Sequence, residues 1–224
     1  MTTAAPPRRK SQAGITLVEL LISMVIMGVI STMMVAGWIS LQDSYGYSVT
    51  SNDTNSTARD AVALASRALR DAQPPTLATP APAIITLATP TEVDFYSAFN
   101  NAATTANGSG IGAVHLMRIY LDTSGSAAQK TLYWNTGGQS VTLAHNVVNN
   151  AIADTSVTPT VSYTAVFTYG YLDANGNFRT SDTLAGADLA NIVSVQIHLL
   201  VDVNLNSPPA YANAQTTVSL RNAS

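Results

Sequence analysis

The sequence predicts an α+β protein with a membrane-length N-terminal helix followed by antiparallel strands. Three observations carry this. A basic leader with Arg8, Arg9 and Lys10 precedes 22 uncharged residues, 20–41. A second helical pattern ends at Pro74-Pro75. Beyond it, short segments alternate apolar and polar residues with the period of two of half-buried strands, not the 3.6 of a helix.

At about 1.5 Å per residue, 22 helical residues reach ~33 Å, enough for a hydrocarbon core of ~30 Å. The flanking charges set orientation. Arg8, Arg9 and Lys10 stand before the span, and the first basic residue after it is Arg59. The positive-inside rule then places the N-terminus in the cytoplasm and residues 42–224 outside. Gly28 and Gly37 lie within the span, so any local unwinding has to use them.

Gly14-Ile15-Thr16-Leu17-Val18-Glu19 joins leader to span. A carboxylate at the mouth of an apolar run is costly unless a cation meets it, which makes Glu19 a functional candidate. A plainer reading also fits. Thr16 and Glu19 have capping-box spacing, and an acid in a first helical turn suits the helix dipole. Capping leaves Gly14 and the leader unexplained. A secretory signal has a shorter apolar core and no glutamate at its start. Arg8-Arg9 allows a twin-arginine reading, which Gln12 and Ala13 fit poorly.

The polar stretch 48–57 is rich in Ser, Thr, Asn and Asp, which compete with helical backbone bonds. A weak or broken helix is expected there. Helix resumes with Ser56 or Thr57 as cap and runs over 58–73. Val62, Ala65, Leu69 and Ala72 form its apolar stripe, with Arg59, Arg67, Arg70 and Asp71 mostly off it. This is an amphipathic helix packed on its own sheet.

Strands are expected at 84–87, 92–96, 114–121, 131–134 and 140–144, with a hairpin turn at Asn135-Thr-Gly-Gly138. Two long alternations follow. One puts Val161, Tyr163, Ala165, Phe167, Tyr169 and Tyr171 on one face; the other does so with Val193, Val195, Ile197, Leu199 and Val201. A last strand covers 216–220. Residues 101–112 and 204–209 read as loops.

Composition narrows the function. The chain has no cysteine, which excludes disulfides and thiolate sites. Removing the leader would leave seven basic against thirteen acidic residues, a formal charge of −6. That argues against nucleic acid as a main partner. His115, His145 and His198 have no ligand spacing, and there is no phosphate loop or Gly-x-Ser-x-Gly nucleophile. Asp173-Ala-Asn-Gly-Asn177 starts like a calcium loop. It lacks the sixth-position Gly and twelfth-position Glu, where Phe178 and Leu184 stand. A hairpin turn is the reading; no metal, cofactor or catalytic residue is assigned.

The stretch around Gly14 and Glu19 resembles the processing site of type IV pilins and type II secretion pseudopilins. Ile15 stands where that family usually has Phe. The resemblance implies cleavage after Gly14 by a prepilin peptidase and N-methylation of the freed Ile15 amine. It also implies pairing of Glu19 with the amine of a neighbouring subunit. Arg67-Ala-Leu-Arg-Asp-Ala-Gln73, the 114–134 hairpin, Leu143-Ala-His-Asn-Val147 and Val218-Ser-Leu-Arg-Asn222 are similar to minor pseudopilins of the J type and to W-type minor pilins. A pilin-like fold is implied, a long N-terminal helix packed on antiparallel sheet. The domains are then a removed leader 1–14, a transmembrane helix 15–41, a neck and amphipathic helix 42–73, and a β-rich domain 74–224. Implied partners are I- and K-type minor subunits, the major pilin, the prepilin peptidase, the inner-membrane assembly platform and membrane lipid. The competing function is a membrane-anchored surface binding module or adhesin that uses the pilin export route.

Overall fold

A computed structural model describes residues 16–75, 83–99, 114–124, 129–149, 164–202 and 211–220. The chain divides into two compact units, Met1–Ser48 and Val49–Ser224. One helix, α1 (Leu17–Arg70), contributes to both.

α1 is unbroken through Gly28, Gly37 and the polar stretch 48–57, so the expected interruption does not occur. The residues that should compete with the helix bond back into it instead. Thr54 Oγ1 donates to the Thr50 carbonyl at 2.7 Å. Asn55 Nδ2 donates to Ser51 O at 2.8 Å, and Ser56 Oγ to Asp53 O at 2.9 Å. Such i−3 and i−4 bonds satisfy the side chain without removing the backbone ladder. Burial adds a tertiary reason at Thr54, which is 3% exposed. Ser56 and Thr57 are therefore interior residues, not caps. The helix stops at Arg70, three residues before the expected end. Ala72 has already turned into a β-bridge with Ser97, ahead of the two prolines.

The apolar stripe is where the spacing puts it. Val62, Ala65, Leu69 and Ala72 are buried, joined by Ala58, Ala61 and Ala68. They share one core with the sheet. Five of these seven are alanines, whose small side chains let a helix lie close to its neighbour. Ser97 Oγ donates to Ala68 O at 2.9 Å, and Gln73 N to Tyr96 O at 3.0 Å.

Among the described residues the sheet has nine strands, all adjacent pairs antiparallel. They are β1 (Ile85–Ala88), β2 (Glu92–Ser97), β3 (His115–Leu121), β4 (Lys130–Thr136), β5 (Gln139–Val147), β6 (Phe167–Leu172), β7 (Phe178–Ser181), β8 (Ile192–Val201) and β9 (Ala212–Ser219). A 3-10 helix, Gly186–Asn191, leads into β8. β1 to β5 form a meander. The β4–β5 turn is the expected Gly-Gly pair, with φ of 58° at Gly137 and 85° at Gly138. Positive φ at both turn residues matches the twist of a two-residue hairpin.

β8 organises the remainder. It pairs with β9 along Ser194–Val201, while β6 takes its other edge along 192–197. β5 meets that second edge beyond β6, at Val147↔Val201. Asn149 fills the junction. It is 1% exposed, its Oδ1 accepts from Leu200 N at 2.7 Å and its Nδ2 donates to His198 O at 2.9 Å.

Both long alternations are shorter or bent relative to their sequence pattern. The first forms strand only over Phe167–Leu172, with residues 161–163 outside the described residues. The N–H groups of Val166 and Phe167 both donate to Pro90 O, at 2.8 and 3.1 Å, which takes the chain out of regular pairing. In β8, Gly170 faces Ser194 but Tyr171 faces Ile192, so Val193 is an extra residue. This bulge puts Ile192 in the core and leaves Val193 half-buried. Both expected loops, 101–112 and 204–209, lie outside the described residues.

Candidate functional site

Gly14 and Ile15 lie outside the described residues. Glu19, four positions after Ile15, sits in the first turn of α1. Thr16 is the cap: Leu20 N donates to its carbonyl at 3.2 Å, and Glu19 N to its Oγ1 at 3.3 Å. In return Glu19 Oε2 accepts from Thr16 N and Thr16 Oγ1, both at 3.0 Å. The capping box is therefore formed. It engages one carboxylate oxygen; among the described residues the other, Oε1, has no hydrogen bond. Glu19 is exposed. It can hold its own helix start and still offer an oxygen to a cation.

The helix beyond it is apolar on every side. An 18-residue window has mean hydropathy 2.2, and none of it is buried in the protein. Two of its hydroxyls bond back into the helix: Ser23 Oγ donates to Glu19 O at 2.7 Å and Thr32 Oγ1 to Val29 O at 2.8 Å. That suits a surrounding without water. Trp38, Tyr45 and Tyr47 are exposed just where the apolar run ends, the residue types that favour a membrane–water boundary.

The other candidates resolve into structure. Asp173 Oδ1 accepts from Asn175 N and Asn177 N, both at 2.9 Å, and Oδ2 meets Arg179 Nε at 3.3 Å. The amides and the guanidinium hold this carboxyl below its ordinary range. Residues 173–177 thus form the β6–β7 turn, with Gly176 at φ 78°. His198 Nε2 lies 3.0 Å from Asn213 Oδ1 across β8–β9. Among the described residues no group of three or more His, Asp or Glu side chains is placed to hold a metal.

One polar cluster was not read from the sequence. Glu92 and Asp94 stand two apart on β2, and Arg118 of β3 is Asp94's register partner. Arg118 pairs with Glu92 and lies 3.7 Å from Asp94, and its guanidinium covers the Tyr120 ring at 5.0 Å. Beneath them the buried Tyr169 hydroxyl donates to Thr89 O at 2.9 Å and Glu92 O at 3.0 Å. Burial, then repulsion from Glu92, pushes the Asp94 carboxyl up from 3.8 to about 6, with Arg118 opposing. A raised carboxyl pKa means the folded state holds the proton more tightly than the unfolded one. The stability it adds is full below pH 3.8 and is lost as pH rises through about 6. Asp94→Asn is therefore expected to remove that slope and to stabilise the protein at neutral pH by ~1 kcal/mol, allowing for solvent screening. Thermal melts from pH 4 to 7.5 check this; an unchanged slope contradicts it.

Residues 9–35 match the family described as the prokaryotic N-terminal methylation motif. The chain carries that motif. The match spans the last six residues of the leader, including Gly14, then Ile15, Glu19 and most of the apolar run. Together with the α+β fold of long apolar helix and antiparallel sheet, it supports a type IV pilin-like, membrane-anchored protein processed by a prepilin peptidase. No curated protein and no solved structure matches the chain significantly.

Proposed function

We propose that the chain is a minor pilin or pseudopilin, a non-catalytic structural subunit that primes or caps a type IV pilus-like or type II secretion filament. The observation that carries this is the methylation motif framing Glu19 at the start of a helix with no protein cover. Residues 1–14 are the leader that is removed, 15–41 the anchor and assembly helix, and 42–224 the exported part. Cleavage after Gly14 supplies the α-amine on Ile15, which becomes N-methylated. Glu19 of one subunit pairs with that amine on the next, using the oxygen its capping box leaves open.

The likeness to J-type minor pseudopilins rests on the segments around Arg67, Leu143 and Val218. It makes I- and K-type subunits and the major pilin the neighbours, with the prepilin peptidase and the inner-membrane platform as transient partners. The N-terminus stays in the cytoplasm and the β-rich part lies outside.

Mild crosslinking in cells, followed by affinity purification and mass spectrometry, tests the assignment. Recovery of other pilin-like subunits crosslinked through the apolar helix supports it. Recovery of the processed chain alone would favour a stand-alone membrane-anchored binding module.

A further inference from the structure

Three of the seven basic residues that follow Gly14 line one groove. Arg59, Arg67 and Arg70 of α1 face residues 213–216 of β9 across a cavity of about 510 Å³. The remaining lining is small or uncharged, with no carboxylate in it. The three arginines are exposed and, among the described residues, none is in an ion pair. In an acidic chain this is an uncompensated concentration of positive charge.

The opposite wall is unusual for a sheet margin. β9 pairs with β8 alone, and β8's second edge is taken by β6 and β5. Among the described residues the outer edge of β9 has no strand on it. Edge strands are normally guarded by a charge, a proline or a bulge. β9 reads Ala-Asn-Ala-Gln-Thr-Thr-Val-Ser and runs in unbroken register. Its own sequence carries none of these guards; what stands across the groove from it is α1 with its three arginines.

We propose that this groove binds an extended acidic segment of a partner polypeptide, added as a strand to the edge of β9, with its carboxylates on Arg59, Arg67 and Arg70. The spacings correspond for an added strand that runs alongside α1. Arg59 and Arg67 are eight helical residues apart, ~12 Å, while same-face residues i and i+4 of a strand are ~13 Å apart. Alternating acidic side chains would therefore reach both. A strand edge selects backbone amides, because its alternating N–H and C=O groups need the same alternation opposite. A nucleic acid could use the arginines but not the edge. The inference stands apart from the filament assignment, since it concerns unit Val49–Ser224 alone and holds whether or not the chain enters a filament.

The full-length protein in detergent micelles is titrated against a labelled peptide of about ten residues, a typical strand length, alternating Thr and Glu. Fluorescence anisotropy should show saturable binding that weakens at least roughly tenfold in the triple variant Arg59→Gln, Arg67→Gln, Arg70→Gln. These side chains are exposed, so the variant should melt with the parent. Two N-methylated peptides keep the charge, one methylated on the Thr amides and one on the Glu amides. A strand pairs through one set of amides only, so one peptide should lose binding and the other keep it. Absence of binding would mean that the arginines merely guard the edge, and would overturn the proposal. So would equal binding of both methylated peptides. Tighter binding of oligothymidylate with the same arginine dependence would make the groove a nucleic-acid site instead.

Discussion

Glu19→Gln is expected to leave the protein processed and membrane-held while removing it from its assembly. Gln serves at the third position of a capping box, so the bonds from Thr16 survive the change. The negative charge does not. If Glu19 pairs with the Ile15 amine of a neighbour, the variant leaves an ammonium near lipid without a counter-ion. Loss of one partner from a desolvated pair acts mainly by stranding the other. Partner recovery in pull-downs should fall roughly tenfold or more, with leader removal unchanged by mass. Normal recovery would reduce Glu19 to a helix cap, since the capping box would then account for all of its behaviour.

Leu69→Ala should produce the largest loss of fold stability. Leu69 is fully buried in the last turn of α1. Ala65 lies one helical turn before it, Ala68 adjoins it, and Ala72 follows beyond the helix end in the bridge to Ser97. Alanines cannot swing into the space, so the cavity stays open. Leu→Ala changes cost about 2–5 kcal/mol, more where the site cannot collapse. Against a total of ~5–15 kcal/mol this is severe, and the melting temperature should fall by roughly 5–20 °C. Arg70→Gln, on the exposed side one residue on, should stay within ~0.5 kcal/mol. Circular dichroism melts of both variants in detergent decide it; equal melting would mean that the stripe does not hold α1 to its core.

Much of this was legible in the sequence because the controlling signals are local. The span needs only length and absence of charge. The β4–β5 hairpin needs only Gly137-Gly138 between alternating segments. The stripe at Val62, Ala65, Leu69 and Ala72 follows from helical spacing alone. The polar stretch 48–57 was misjudged because Ser, Thr and Asn can either compete with a helix or bond back into it. The choice was settled by burial at Thr54 and by helix on both sides. The bulge at Val193 was hidden because an extra residue leaves the alternation intact and shifts only its phase. The groove beside Arg59, Arg67 and Arg70 was out of reach, since its other wall comes from residues some 140 positions later. Of the candidate site, Glu19 was readable from charge and position, while its formed capping box and open oxygen required coordinates.

The central claim is that this chain is a prepilin-type subunit matured by cleavage between Gly14 and Ile15. It is tested most directly by intact mass and N-terminal sequencing of protein from cells with a working prepilin peptidase. The predicted chain begins at Ile15 and lacks the fourteen leader residues, with one added methyl on its amine. Retention of residues 1–14, or a new N-terminus near Ala36 as a signal peptidase would leave, contradicts it.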